Sequence, residues 1–174
     1  MTRLALAFLF GALVACRTTD PAEADPSPQK SAPSASTAPS SAATKARGVE
    51  LIAAPAGDVP AVVKAERDGA RARGRKLLVY IGATWCEPCQ RFHRAAEAGE
   101  LDATFPTLSL LVFDADRDGD RLRAAGYAPG YIPYFGVPGD DGKATSDATE
   151  GAVKGEGAVE HITPRLTKLV ADAR

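Results

Sequence analysis

Leu77-Leu78-Val79-Tyr80-Ile81-Gly82-Ala83-Thr84-Trp85-Cys86-Glu87-Pro88-Cys89-Gln90-Arg91-Phe92-His93 is the stretch on which the reading of this chain turns. Leu77 to Gly82 is continuously apolar with a β-branched bias, which predicts a central strand covered on both faces. A helix is predicted from about Cys86 to Ala98. Between the two lies a cysteine pair, placed where a helix begins. The unsatisfied N–H groups of a helix N-terminus favour a thiolate and lower its pKa below the free value of about 8.5. Cys86 sits where that field acts. A two-residue gap keeps Cys89 within one helical turn, close enough to attack a mixed disulfide on Cys86. Pro88 restricts the loop at a helix start, where its missing N–H costs nothing.

Outward from this junction, strand and helix signals alternate. Val49 to Ala54 predicts a first strand. Asp58 predicts the cap of a helix with Pro60 in its first turn and Val59, Val62 and Val63 on one side. Leu108 to Phe113 repeats the central-strand pattern, and Asp120 to Ala125 predicts a short helix. Tyr134 to Val137, a turn at Gly139-Asp140-Asp141-Gly142 and a strand near Thr145 to Ala152 predict a hairpin. Ile162, Leu166, Leu169 and Val170 fall at helical spacing, with Thr163 expected as the cap because Pro164 follows it. The order predicts an α/β sandwich with a mixed central sheet flanked by helices, its chemistry at the C-terminal end of a central strand.

A bare C-x-x-C says little, but strand, Trp, C-x-x-C with Pro before the second Cys, and helix together are specific. Gly130-Tyr131-Ile132-Pro133, just ahead of another apolar strand, adds a second element. The combination resembles the thioredoxin superfamily over about Val49 to Arg174. The resemblance implies a thioredoxin-like fold in which Cys86 and Cys89 are the catalytic pair, with Trp85, Glu87 and Pro88 tuning them. It implies that Pro133 is cis and that the Ile132 main chain pairs with an extended substrate segment. It implies no cofactor beyond the redox-active disulfide, and protein thiols or disulfides as partners. Two positions depart from the family pattern: Tyr80 stands where a buried aspartate is usual, and Gly82 replaces a bulky aromatic. Glu87, between the cysteines, is expected to oppose thiolate formation and so to favour a reductant over a strong oxidant.

The third cysteine belongs to a different segment. Arg3 and the uncharged run Leu4 to Val14 resemble a signal-peptide core, too short for the roughly 20 residues a membrane span needs. The run ends in Leu13-Val14-Ala15-Cys16, which resembles a bacterial lipoprotein signal and implies a lipid on Cys16. Residues 17 to 47 hold five prolines and no large apolar side chain, a composition that cannot offset its conformational entropy. The expected organisation is a signal at 1–15, a lipidated cysteine and tether at 16–47, and a domain at 48–174, membrane-anchored and extracytoplasmic.

Other features admit different chemistry. The 21 Lys and Arg against 22 Asp and Glu leave no nucleic-acid footprint. Arg71, Arg73, Arg75 and Lys76 read as a solvated helix end. Asp114, Asp116, Asp118 and Gly119 match the opening of a calcium loop, but Ala125 stands where a bidentate Glu is required. The alternative function is a Cu(I) metallochaperone using Cys86, Cys89 and His93, which could share one helix face.

Overall fold

The computed structural model describes residues 47–173. The expected signal segment, Cys16 and the tether up to residue 46 lie outside the described residues. Strands β1 (Glu50–Ala53), β2 (Lys76–Gly82), β3 (Leu108–Asp114), β4 (Tyr134–Pro138) and β5 (Ala144–Glu150) form one sheet in the order β1-β3-β2-β4-β5. The β1, β3 and β2 strands are parallel, whereas β4 runs antiparallel to β2 and β5 antiparallel to β4. The helices are α1 (Val59–Ala72), α2 (Glu87–Glu97), α3 (Ala115–Ala124) and α4 (Ala158–Asp172).

Side-chain alternation on β2 divides the core into two layers. Leu78 and Tyr80 pack with Phe92 of α2 and Ile162 and Leu166 of α4. Leu77, Val79 and Ile81 face the other way, toward Val59 and Val63 of α1 and Leu122 of α3. Every β2 residue after Lys76 is buried, as its unbroken apolar run requires. The expected mixed α/β sandwich is what forms. At the far edge, β5 is mostly exposed and reads Ala-Thr-Ser-Asp-Ala-Thr-Glu, a polar strand suited to an unpaired edge.

Three local expectations are corrected. α3 begins at Ala115, not near Asp120, because the Asp114 carboxylate caps it by accepting from the N–H groups of Asp116 and Arg117 at 3.0 and 2.9 Å. The acidic first turn that looked like a loop is favourable at a helix N-terminus. α4 begins at Ala158 and runs through Pro164, so Thr163 is not its cap. The carbonyl deprived of a partner by Pro164 is that of Glu160, and both residues are exposed, so water can serve it. Thr163 Oγ1 instead donates back to the Val159 carbonyl at 2.8 Å.

Arg75 is the third correction. It is buried, at 6% exposure, not solvated with its neighbours. Its guanidinium donates to Ser109 Oγ at 2.8 Å, Gly48 O at 2.6 Å and Leu108 O at 2.5 Å, and pairs with Glu50 Oε2 at 3.1 Å. Those carbonyls lie just before β1 and at the first residue of β3. A planar fork with several donors satisfies them together.

Candidate redox site

The β2 strand ends at Gly82, and a short turn delivers the chain into α2 with Cys86 as its N-cap. The Cys86 and Cys89 sulfurs are joined in a disulfide, with Cα atoms 5.2 Å apart. The Cys89 N–H donates to Cys86 Sγ at 3.3 Å, so the helix start directs a donor at that sulfur. Gln90 N–H closes the first helical turn on the Cys86 carbonyl at 3.0 Å. Pro88 follows Glu87 at the second helical position, where no N–H partner is needed. The disulfide packs both cysteines against Ala83, Ala115 and Ile132 and leaves them 4% and 3% exposed.

The Ile132–Pro133 peptide bond is cis, and Ile132 packs beside the sulfurs. Among the described residues the Ile132 main chain enters no hydrogen bond outside the strands. The loop carrying it is held from both ends. Glu150 Oε2 accepts from Gly130 N–H at 2.9 Å, and Pro133 O accepts from Gly151 N–H at 2.8 Å. A hollow of about 300 Å³ beside it is lined by Trp85, Leu122, Tyr127, Tyr131 and Ile132. Trp85 and Tyr131 are exposed at its rim, at 65% and 73%. The indole N–H of Trp85 donates to Asp116 Oδ2 at 2.7 Å, which ties the residue before Cys86 to the first turn of α3.

Residues 60–105 match the family model described as thioredoxin-like. The domain has a thioredoxin-like fold. The matched segment runs through α1, β2, both cysteines and α2, and stops short of Pro133. No curated protein matches the chain. Within this thioredoxin-like domain, a C-x-x-C disulfide opening the helix after the central strand is an arrangement fit for thiol-disulfide exchange.

One tuning residue, Glu87, is not where sequence reasoning left it. Glu87 turns away from the sulfurs, pairs with Arg91 one helical turn on, and accepts from Gly155 N–H at 3.0 Å. Hydrogen bonds from Arg91 and from the Gly155 N–H hold its carboxyl below the usual range. A charge balanced in this way exerts little field on Cys86, so the expectation of a reductant loses its basis. Tyr80 fills the ground beneath Cys89, its phenol donating to the Cys89 carbonyl at 3.4 Å while its ring packs on Phe92 and Phe135. Burial pushes its hydroxyl well above the ordinary tyrosine range, so it remains a neutral donor.

The competing metal readings find no geometry. Asp114 caps α3, Asp116 holds Trp85, and Asp118 pairs with Arg117 and Arg121. Among the described residues no group of three or more His, Cys, Asp or Glu side chains is placed to hold a metal ion, so Cys86, Cys89 and His93 do not form the alternative Cu(I) set. The sulfurs are bonded to each other, and His93 Nδ1 lies 3.2 Å from Glu97 Oε1. Sequence reasoning missed Asp116, Glu150 and Gly155, which act from distant segments. Arg91 had a readable signal, the i,i+4 spacing from Glu87 on one helix.

Proposed function

We propose that this domain is a thiol-disulfide oxidoreductase in which Cys86 attacks and Cys89 resolves, acting on extended segments of extracytoplasmic protein partners. The observation that carries the reading is a Cys86–Cys89 disulfide whose first sulfur caps α2 beside a cis Ile132–Pro133 bond. A cap position with a donor aimed at its sulfur favours the thiolate there. The open main chain of Ile132, with Trp85 and Tyr131 exposed nearby, suits an extended partner strand. The proposed setting, anchored to a membrane by a lipid on Cys16, rests on the Leu13-Val14-Ala15-Cys16 signal alone.

The test is a full-length Cys89→Ser variant expressed in a bacterial host and isolated without reductant. Mixed disulfides through Cys86 to extracytoplasmic proteins, absent from the Cys86→Ser control, support the reading. Equal trapping by both variants, or none, overturns it. Graded-pH alkylation of the reduced protein should modify Cys86 at lower pH than Cys89. Intact-mass analysis of the same preparation reads the lipid on Cys16.

A further inference from the structure

A cavity of about 430 Å³ lies on the Cys89 side of the disulfide, lined by Tyr80, Gly82, Cys89, His93, Asp114 and Arg117 among others. It shares no lining residue with the hollow beside Ile132. Its volume has room for several waters at about 30 Å³ each, and its wall offers polar partners for them. This cavity bears on a chemical need that the fold leaves open. Cys89 must lose a proton before it can attack, and the residue beneath it is a buried phenol that donates.

The charged and titratable groups facing the cavity narrow the choice of acceptor. Arg94 and Arg117 are permanent cations. Asp114 Oδ1 is engaged by two N–H groups as the α3 cap. Tyr80 is held neutral by burial. Of the two lining residues that keep acceptor capacity, Asp114 and His93, His93 is the one on the helix of the thiol, one turn beyond Cys89 on α2. The Glu97 carboxylate lies 3.2 Å from Nδ1, beside the ring.

Building on the exchange reaction proposed above, we propose that His93 is the proton acceptor for Cys89, working through water held in this cavity. The Cys89 S–H gives its proton to a ring nitrogen of His93. The sulfur's electron pair forms the Cys86–Cys89 bond as the bond between Cys86 and the partner sulfur breaks. The partner leaves as a thiolate and takes a proton. Two cysteines are oxidised, and the partner disulfide is reduced to two thiols.

The reduced full-length protein is mixed with one equivalent of dipyridyl disulfide in a stopped-flow instrument. Attack by Cys86 releases a first equivalent of pyridine thione, and resolution by Cys89 releases a second. In His93→Ala and His93→Gln the first phase should be unchanged, which also verifies folding. The second should slow by on the order of tenfold or more. Added imidazole should restore it in the variants and leave the wild type unaffected, a response that a packing role would not give. A second phase unchanged in both variants, or slowed without recovery in imidazole, overturns the assignment to His93 while leaving exchange intact. A wild-type protein that releases only one equivalent overturns the exchange reading itself, and the assignment with it.

Discussion

The phenol of Tyr80 occupies the space that a side chain at Gly82 would need. A Cβ at position 82 would stand 2.8 Å from Tyr80 Oη and 3.1 Å from Cζ. Both residues project to the same side of β2, two apart, so one departure from the family pattern makes room for the other. Gly82→Ala should therefore destabilise the domain by about 1 to 3 kcal/mol, as overpacking does in a filled core. In a double-mutant cycle with Tyr80→Phe, which removes the nearest contact, the two costs should be less than additive in urea unfolding. Additive costs would show that the two positions are not coupled.

The Glu87–Arg91 pair makes a prediction about redox potential. With the two charges balanced, the double variant Glu87→Gln/Arg91→Gln should move the potential against glutathione buffers by no more than about 10 mV, a third of what one pKa unit is worth. Arg91→Gln alone, which leaves the carboxylate beside the helix start without this partner, should lower the potential, and Glu87→Gln alone, which leaves the guanidinium, should not. A large shift for the double variant would mean that the two charges do not cancel at Cys86.

Arg75 should be among the residues whose loss the fold tolerates least. Arg75→Met removes the donors that serve Gly48 O, Leu108 O and Ser109 Oγ and takes one cation from the Glu50 carboxylate, which keeps Arg73 and Ser109 Oγ. Breaking one side of a buried pair costs on the order of 3 kcal/mol. Arg75→Lys keeps the charge but not the fork, and should recover only part of that loss in chemical unfolding. An unaltered unfolding midpoint in Arg75→Met would dismiss the network as ornament.

Asp118 gives the domain an acid-sensitive contribution. Burial alone would raise its carboxyl, but hydrogen bonds from Arg117, the Asp114 N–H and Arg121 outweigh it and hold the group at about 2, against an ordinary value of 3.8. A carboxyl depressed by folding stabilises the native state above its unfolded pKa and ceases to do so as pH falls through the folded one. The contribution, roughly 2 kcal/mol, should be complete by about pH 5 and vanish toward pH 2. The stability gap between wild type and Asp118→Asn should narrow over that window; a gap independent of pH would contradict the pairing.

What the sequence made legible was local. The unbroken β2 run, the Trp85-Cys86-Glu87-Pro88-Cys89 junction and the periodic apolar face of α4 each carry their meaning in neighbouring residues. The errors share a different cause. Asp114 to Asp118 looks like a loop until its N–H groups are counted, and Pro164 looks like a helix start until Ile162 is seen buried on the same face as Leu166. The Arg75 position could not be read from its own neighbours, because the carbonyls it serves belong to residues 48 and 108. At the candidate site, the cysteine pair was legible from its motif, and the cis-proline was what the family resemblance implied. The orientation of Glu87 was not, since one of its two partners, Gly155, lies 68 residues away.

The tethering of the Ile132–Pro133 loop by Glu150 and Gly151 has a consequence for recognition. Because both anchors come from the end of β5, the loop's shape is stored in the sheet before any partner arrives. On the function proposed above, an incoming segment would meet a shape already set, and the ordering entropy of the encounter would fall mainly on that segment. Segments already extended or locally unfolded would then lose least on docking, whereas well-folded ones would first have to be opened. Discrimination would lie in the state of a partner's chain more than in its sequence.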